Sequence, residues 1–144
     1  MKLKIKKLSD AAITPRYATP GSACFDLHAV HNGVVPAGKS MAFATDLAFE
    51  VPDGWVMKLY SRSGHGFRHG VRLANTTGII DSDYRGEILV PLTCDAESET
   101  GYFVAAGDRI AQAMLVQVPQ VQLVEVEELS DTARGAGGFG STGS

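Results

Sequence analysis

The sequence predicts an all-β domain, a sandwich or barrel built from many short strands. Two observations carry that expectation. Short extended runs recur along the chain, several of them alternating apolar and polar residues, and turn residues separate them. Sixteen glycines and six prolines in 144 residues supply the turns. A third observation supports a folded core: hydrophobic residues make up 44% of the chain, and its length suits one domain.

The elements follow in order. Leu3 to Leu8 alternates lysines with apolar residues, the pattern of a half-exposed strand. Ala18 to Leu27 is a turn running into a strand that carries Asp26. Val34 to Gly38 holds Pro36 and Gly38 and reads as a turn. Met41 to Val51 is apolar and β-compatible, and it ends at the turn Pro52-Asp53-Gly54. Trp55 to Tyr60 alternates Trp55, Met57 and Leu59 with the residues between them. Glu87 to Cys94 is a strand with Pro91 inside it, which predicts an edge or a bulge. Gly107 to Gln112 is a turn entering a strand over Arg109 to Val118, and Val121 to Val126 is a further strand. Leu123, Val126 and Leu129 have rough helical spacing, but the β-branched Val124 and Val126 favour strand followed by loop over Gln122 to Arg134. The division is therefore a β domain over 1–133 and a mobile, glycine-rich arm over 134–144.

Composition excludes several roles. A net charge of −3 and a pI near 5.7 argue against a general nucleic-acid or membrane binder, which needs a basic surface. No apolar run is long enough to span a bilayer, and no apolar signal core follows the lysines of MKLKIKKLSD. Cys24 and Cys94 lie far apart without metal spacing, so a cytoplasmic protein with reduced thiols is expected. Asn75-Thr76-Thr77 matches a glycosylation acceptor but has no secretory context.

The richest stretch is NTTGIIDSDYRG, Asn75 to Gly86. Asp81 and Asp83 stand one residue apart after the apolar pair Ile79-Ile80, and Tyr84 and Arg85 follow. An acid closing a buried apolar run is poorly solvated and either finds partners or becomes reactive. Asp83 is expected to pair with Arg85 in a turn, which leaves Asp81 as the reactive candidate. A calcium loop is rejected, because the fifth position is Arg85 and the twelfth is Leu92. Upstream, Arg62, Ser63 and Gly64 offer a cation, a hydroxyl and a free amide in succession, the makings of a phosphate cradle. His65 and His69 have the spacing of a helical metal pair, but Gly64, Gly66 and Gly70 oppose a long helix and no third ligand is near. Gln112 is placed to point inward and donate to a phosphate. In the tail, Gly135, Gly137 and Gly140 match a dinucleotide fingerprint that fails in context, since no helix can follow. Arg134, Ser141 and Thr142 instead supply phosphate donors around freed backbone amides, and Phe139 is available to stack on a base.

Taken together and in order, five segments resemble the motifs of the trimeric deoxyuridine triphosphatases (dUTPases). GSACFDL at Gly21–Leu27 is similar to the first, SRSGHG at Ser61–Gly66 to the second and GIIDSDYRGE at Gly78–Glu87 to the third. GDRIAQ at Gly107–Gln112 is similar to the fourth and RGAGGFGSTG at Arg134–Gly143 to the fifth. Cys24 replaces a tight-turn glycine of the first motif, and His65 replaces an apolar residue after RSG, which alters packing and removes no ligand.

The resemblance implies a jelly-roll-like β-clip subunit, a homotrimer and shared active sites. One chain would give motifs one, two and four, a second the third and a third the tail. It implies hydrolysis of dUTP to dUMP and pyrophosphate by in-line attack of water on the α-phosphorus. That reaction limits uracil in DNA and supplies dUMP for thymidylate synthesis. Asp81 matches the general base, and Mg²⁺ would ride on the triphosphate, with Asp26 contacting it through metal-bound water. Arg62, Ser63, Gly64 and Gln112 match phosphate contacts, and Arg134, Gly140, Ser141 and Thr142 match the closing arm. Asn75, Gly78 and the hairpin backbone would read the uracil edge, Tyr84 would lie under the deoxyribose and Phe139 would stack over the base. Two alternatives have other chemistry. A dCTP deaminase shares the fold, but its glutamate ten residues after the aspartate is Pro91 here. A non-catalytic trimeric nucleotide-binding module would bind without releasing pyrophosphate.

Overall fold

The computed structural model describes residues 1–95 and 100–138. Two four-stranded antiparallel sheets face one another. The first runs β1 (Lys4–Lys7), β4 (Ser40–Glu50), β8 (Glu87–Cys94), β6 (Val71–Leu73). The second runs β2 (Phe25–His28), β10 (Arg109–Gln117), β5 (Trp55–Tyr60), β7 (Thr77–Ile80). A small pair, β3 (Gly33–Val35) with β9 (Tyr102–Val104), lies beside them, and one short helix, α1 (Ser63–His69), follows β5. The all-β, jelly-roll-like expectation holds.

Period-two alternation makes the core. In β8, Ile88, Val90, Leu92 and Cys94 point inward while Leu89 points out. They meet Leu27, Met57, Leu59, Ile110 and Ala113 from the opposite sheet, with Phe43 and Leu47 between. Burying each large side chain contributes about 1.5–3 kcal/mol. β4 carries a bulge where its register with β8 shifts between Ala44 and Ala48. The buried Thr45 hydroxyl satisfies the break by donating to the Ile88 carbonyl (2.7 Å), and the Asp46 amide donates to Glu87 Oε1 (2.9 Å).

Three local expectations change. Pro91 lies inside an interior strand, not at an edge: β8 has β4 on one side and β6 on the other. Its carbonyl accepts from the Ala74 amide, so its missing donor also faces the β6 side, where that strand has already ended at Leu73. Val121 to Val126 form no strand; β10 ends at Gln117 and the described residues beyond it are irregular and exposed. Among the described residues Val121, Leu123, Val124, Val126 and Leu129 are not covered, and Leu123 is 91% exposed. The segment around Asp81 is not a simple hairpin. β6 pairs with β8, and β7 pairs with β5 in the other sheet. The glycine-rich stretch after Arg62 makes only a short helix, of seven residues, in keeping with its glycines, and Gly70 closes it in the left-handed conformation (φ 61°).

Candidate active site

The first cavity, of about 380 Å³, is lined by Cys24, Asp26, Arg62, Ser63, Gly64, Arg109 and Gln112 among others. Strand geometry explains the convergence. In β2, Phe25 and Leu27 face the core, so Asp26 faces away. Gln112 is its partner on β10 and shares that face. Arg109, three residues before Gln112, belongs on the opposite face of a regular strand. The register shift between Arg109 and Ala111 lets both point outward while Ile110 and Ala111 stay buried. β5 ends beside Gln112 at Tyr60, which delivers Ser61, Arg62 and the first turn of α1 to the same rim.

Asp26 is the electrostatic centre of this cavity. Its side chain is 16% exposed and meets two guanidinium groups, Arg62 Nε at 3.4 Å and Arg109 Nη1 at 3.3 Å. One carboxylate between two cations leaves a net positive rim suited to polyphosphate. Gln112 donates one amide hydrogen to the Ser61 carbonyl (2.9 Å), which braces the turn into α1 and leaves its second donor for the cavity. A Cβ on Gly64 would meet nothing within 4 Å, so packing does not demand this glycine. Its amide and that of Ser63 open the helix and have no intrahelical acceptor. Burial, and then the Asp26 carboxylate, push the Cys24 thiol above its ordinary pKa, so it lines the cavity protonated. Burial holds His28 and His65 below the usual imidazole range.

Asp81 lies elsewhere. It lines a second cavity, of about 560 Å³, with Trp55, Lys58, Ile79, Asp83 and Val118. Ile80 pairs with Met57, so Asp81 is level with Val56, six residues back along the chain from Arg62. At about 3.3 Å per residue that is roughly 20 Å. Asp81 is open to solvent and Ile79 is 54% exposed, so the dry apolar setting expected for this acid is absent in the single chain. Arg85 does not pair with Asp83. It donates to the carbonyls of Ser82 (2.6 Å) and Tyr84 (3.0 Å), closing the turn. The Tyr84 hydroxyl donates to the Glu87 carbonyl (3.0 Å), which fixes a half-exposed ring. Gly78 is buried in β7, where a Cβ would come 2.9 Å from Leu59 Cβ; close strand packing requires glycine there. Asn75 is exposed in the turn between β6 and β7, and the Thr77 amide donates to its carbonyl (2.6 Å). Arg134 is exposed and donates to the Gly137 carbonyl (2.8 Å). Phe139, Gly140, Ser141 and Thr142 lie outside the described residues.

A family model for dUTPase matches residues 10–143. The deoxyuridine 5'-triphosphate nucleotidohydrolase of Nautilia profundicola is 49% identical over 143 residues, covering 99% of each chain. The chain belongs to the dUTPase family. Among solved structures, a mutant dUTPase of Staphylococcus bacteriophage 80alpha with dUpNHpp superposes with a TM-score of 0.87 at 25% identity, covering 99% of each chain. A mutant dUTPase from phage phi11 of S. aureus, described as revealing the coordination of a structural Mg(II) ion, has a TM-score of 0.80 at 24% identity, with 89% of this chain and 98% of that one covered.

For magnesium, the described residues of this dUTPase hold no cluster of three or more potential ligands. Asp26 is alone and faces two arginines at ion-pair distances of 3.3–3.4 Å. That donor set does not encage an ion. It does fit an ion that arrives on a substrate and keeps its waters, which one carboxylate can hold from outside. The sequence places Arg109 at the start of a strand with no sign of its pairing with Asp26, and nothing in it marks the contact of His65 with Arg62. The spacing of Arg109 from Gln112 points to the opposite face of a regular strand, and only the bulge brings it to Asp26.

Proposed function

We propose that this chain hydrolyses dUTP to dUMP and pyrophosphate in sites that three copies of it build together. The observation that carries the shared site is the separation of roughly 20 Å between Asp81 and the Arg62–Ser63 rim. A general base must come within hydrogen-bond reach of the water it deprotonates, about 3 Å. Within one chain it cannot reach a water behind a phosphate held at Arg62, so the two halves act together across a boundary between copies.

In that assembly the triphosphate lies along the positive rim. Ser63 and Gly64 offer amides, Arg62 its guanidinium and Gln112 its free amide hydrogen to phosphate oxygens. Mg²⁺ carried on the triphosphate would be held by Asp26 through its waters and would offset phosphate charge. Asp81 of a second copy accepts a proton from water aligned with the α-phosphorus, and the resulting hydroxide displaces pyrophosphate. A neighbour covering Ile79 supplies the dry setting that Asp81 lacks alone. The backbone of the segment from Asn75 to Tyr84 reads the uracil edge, and cytosine leaves its polar groups unpaired. Tyr84 packs under the deoxyribose. The exposed apolar row after Gln117 crosses to a further copy and brings Arg134, Phe139, Gly140, Ser141 and Thr142 over the nucleotide. An apolar groove of about 410 Å³ lined by Leu3, Tyr17, Phe25, Trp55 and Leu115 is a surface able to receive such a row.

The dCTP deaminase alternative requires a glutamate where this chain has Pro91, whose carbonyl is bound to the Ala74 amide inside β8. The test is product analysis with dUTP and dCTP in Mg²⁺. Pyrophosphate and dUMP from dUTP are expected. Ammonia from dCTP, or nucleotide binding without pyrophosphate release, would overturn the reading.

A further inference from the structure

His65 stands in the first turn of α1, beside the phosphate-facing rim but outside it. Its Nε2 lies 3.2 Å from Arg62 Nη1. A guanidinium can only donate, so this contact is a hydrogen bond when Nε2 carries no proton and accepts. The neutral ring's proton then sits on Nδ1, which is buried without a hydrogen-bond partner among the described residues. The ring is packed against Tyr102 of β9 (centroids 5.5 Å), and His69 covers the same tyrosine (5.0 Å), so the imidazole is not free to turn. Arg62 is thereby held at three points: Asp26 Oδ1 by Nε, the Arg109 carbonyl by Nη1 at 3.2 Å, and His65. The first two contacts fix where the guanidinium sits. The third comes from the α1 side and fixes the plane of its fork.

We propose that neutral His65 is a positioning residue that aims the Arg62 guanidinium into the cavity where polyphosphate binds. This rests on the reading of Arg62 as a phosphate contact given above. The groups facing the ring are Arg62 before α1, His69 on α1, Tyr102 on β9, Asp108 in the turn before β10 and Arg109 on β10. Burial first, then Arg62 and His69, keep the ring's pKa below the usual imidazole value, against the opposing pull of Asp108. The sign follows. The folded pKa is below the unfolded one, so the neutral contact is complete above the ordinary imidazole value and is lost as pH falls through the lowered folded value. Below that, the protonated ring stops accepting and repels Arg62.

The test uses the full-length protein and its His65→Leu and His65→Gln variants. Long-range ¹⁵N NMR of the imidazoles reads the tautomer and titration of His65 without substrate. Binding of inorganic pyrophosphate by calorimetry, and KM for dUTP, are measured at and below neutral pH. The expected results are an Nδ1–H tautomer and about 10-fold weaker pyrophosphate binding in His65→Leu. KM should rise in parallel, with kcat within about twofold. Glutamine, whose amide oxygen accepts, should restore binding and remove its decline at low pH. An Nε2–H tautomer, pyrophosphate binding equal in all three proteins, or no pyrophosphate binding at all would overturn the proposal. Failure to hydrolyse dUTP alongside the expected pyrophosphate results would sink the dUTPase reading while leaving this one standing.

Discussion

If Asp81 serves a phosphate held by another copy, two inactive variants should repair each other. Asp81→Asn removes the base and should cost about 10²–10⁴-fold in turnover. Arg62→Ala removes a guanidinium that also holds Asp26 at 3.4 Å, and should cost about 10²–10³-fold. The geometry sets the outcome of mixing. Asp81 lies roughly 20 Å along the sheet from Arg62, so no site takes both from one chain. When equal amounts are unfolded and reassembled together, a site works when its Asp81 comes from the Arg62→Ala chain and its Arg62 from the Asp81→Asn chain. Random assembly makes that about one site in four, so the mixture should recover about a quarter of wild-type pyrophosphate release. Sedimentation should show particles of three times the 15.3 kDa chain. A mixture no more active than the mean of its parents, in particles of that size, would refute the shared site.

Two further outcomes test individual residues. Tyr84→Ala should relax discrimination against UTP relative to dUTP, read as the ratio of kcat/KM values. Tyr84→Phe, which loses only the bond to the Glu87 carbonyl, should keep most of it, and equal ratios in all three proteins would remove Tyr84 as the sugar platform. Gly78→Ala forces a methyl against Leu59 at 2.9 Å and should cost about 1–3 kcal/mol, measured by denaturant unfolding at fixed protein concentration. An unchanged midpoint would show that β5 and β7 separate more easily than their packing indicates.

What the sequence revealed of this fold depended on length. β4, β5, β8 and β10 run six to eleven residues, enough for alternation to identify them. β3, β6 and β9 have three residues each, less than two full periods, and no pattern can mark them. Part of the candidate site was legible as residue types in order, because Asp26, Arg62, Ser63, Gly64 and Gln112 do converge on one cavity. Their connections were not. The bulge that puts Arg109 and Gln112 on one face is a one-residue shift with no composition of its own, and the Arg62–His65 contact depends on how tightly α1 turns.

The strand expected at Val121 to Val126 is absent, and the dry setting expected for Asp81 is not found within the single chain; both trace to one cause. Each rested on apolar residues finding cover, and among the described residues Ile79, Val121, Leu123, Val124, Val126 and Leu129 stay exposed. Five exposed apolar side chains within nine residues of a chain with a 44% hydrophobic composition are not the scattered surface apolars of an ordinary monomer. Covering them contributes stability that an isolated subunit forgoes. The same contact would shield the Asp81 side and hold the C-terminal segment in place. If a neighbouring copy covers the row, assembly and catalysis draw on one set of residues, and weakening the row should reduce turnover in proportion to the loss of assembled protein.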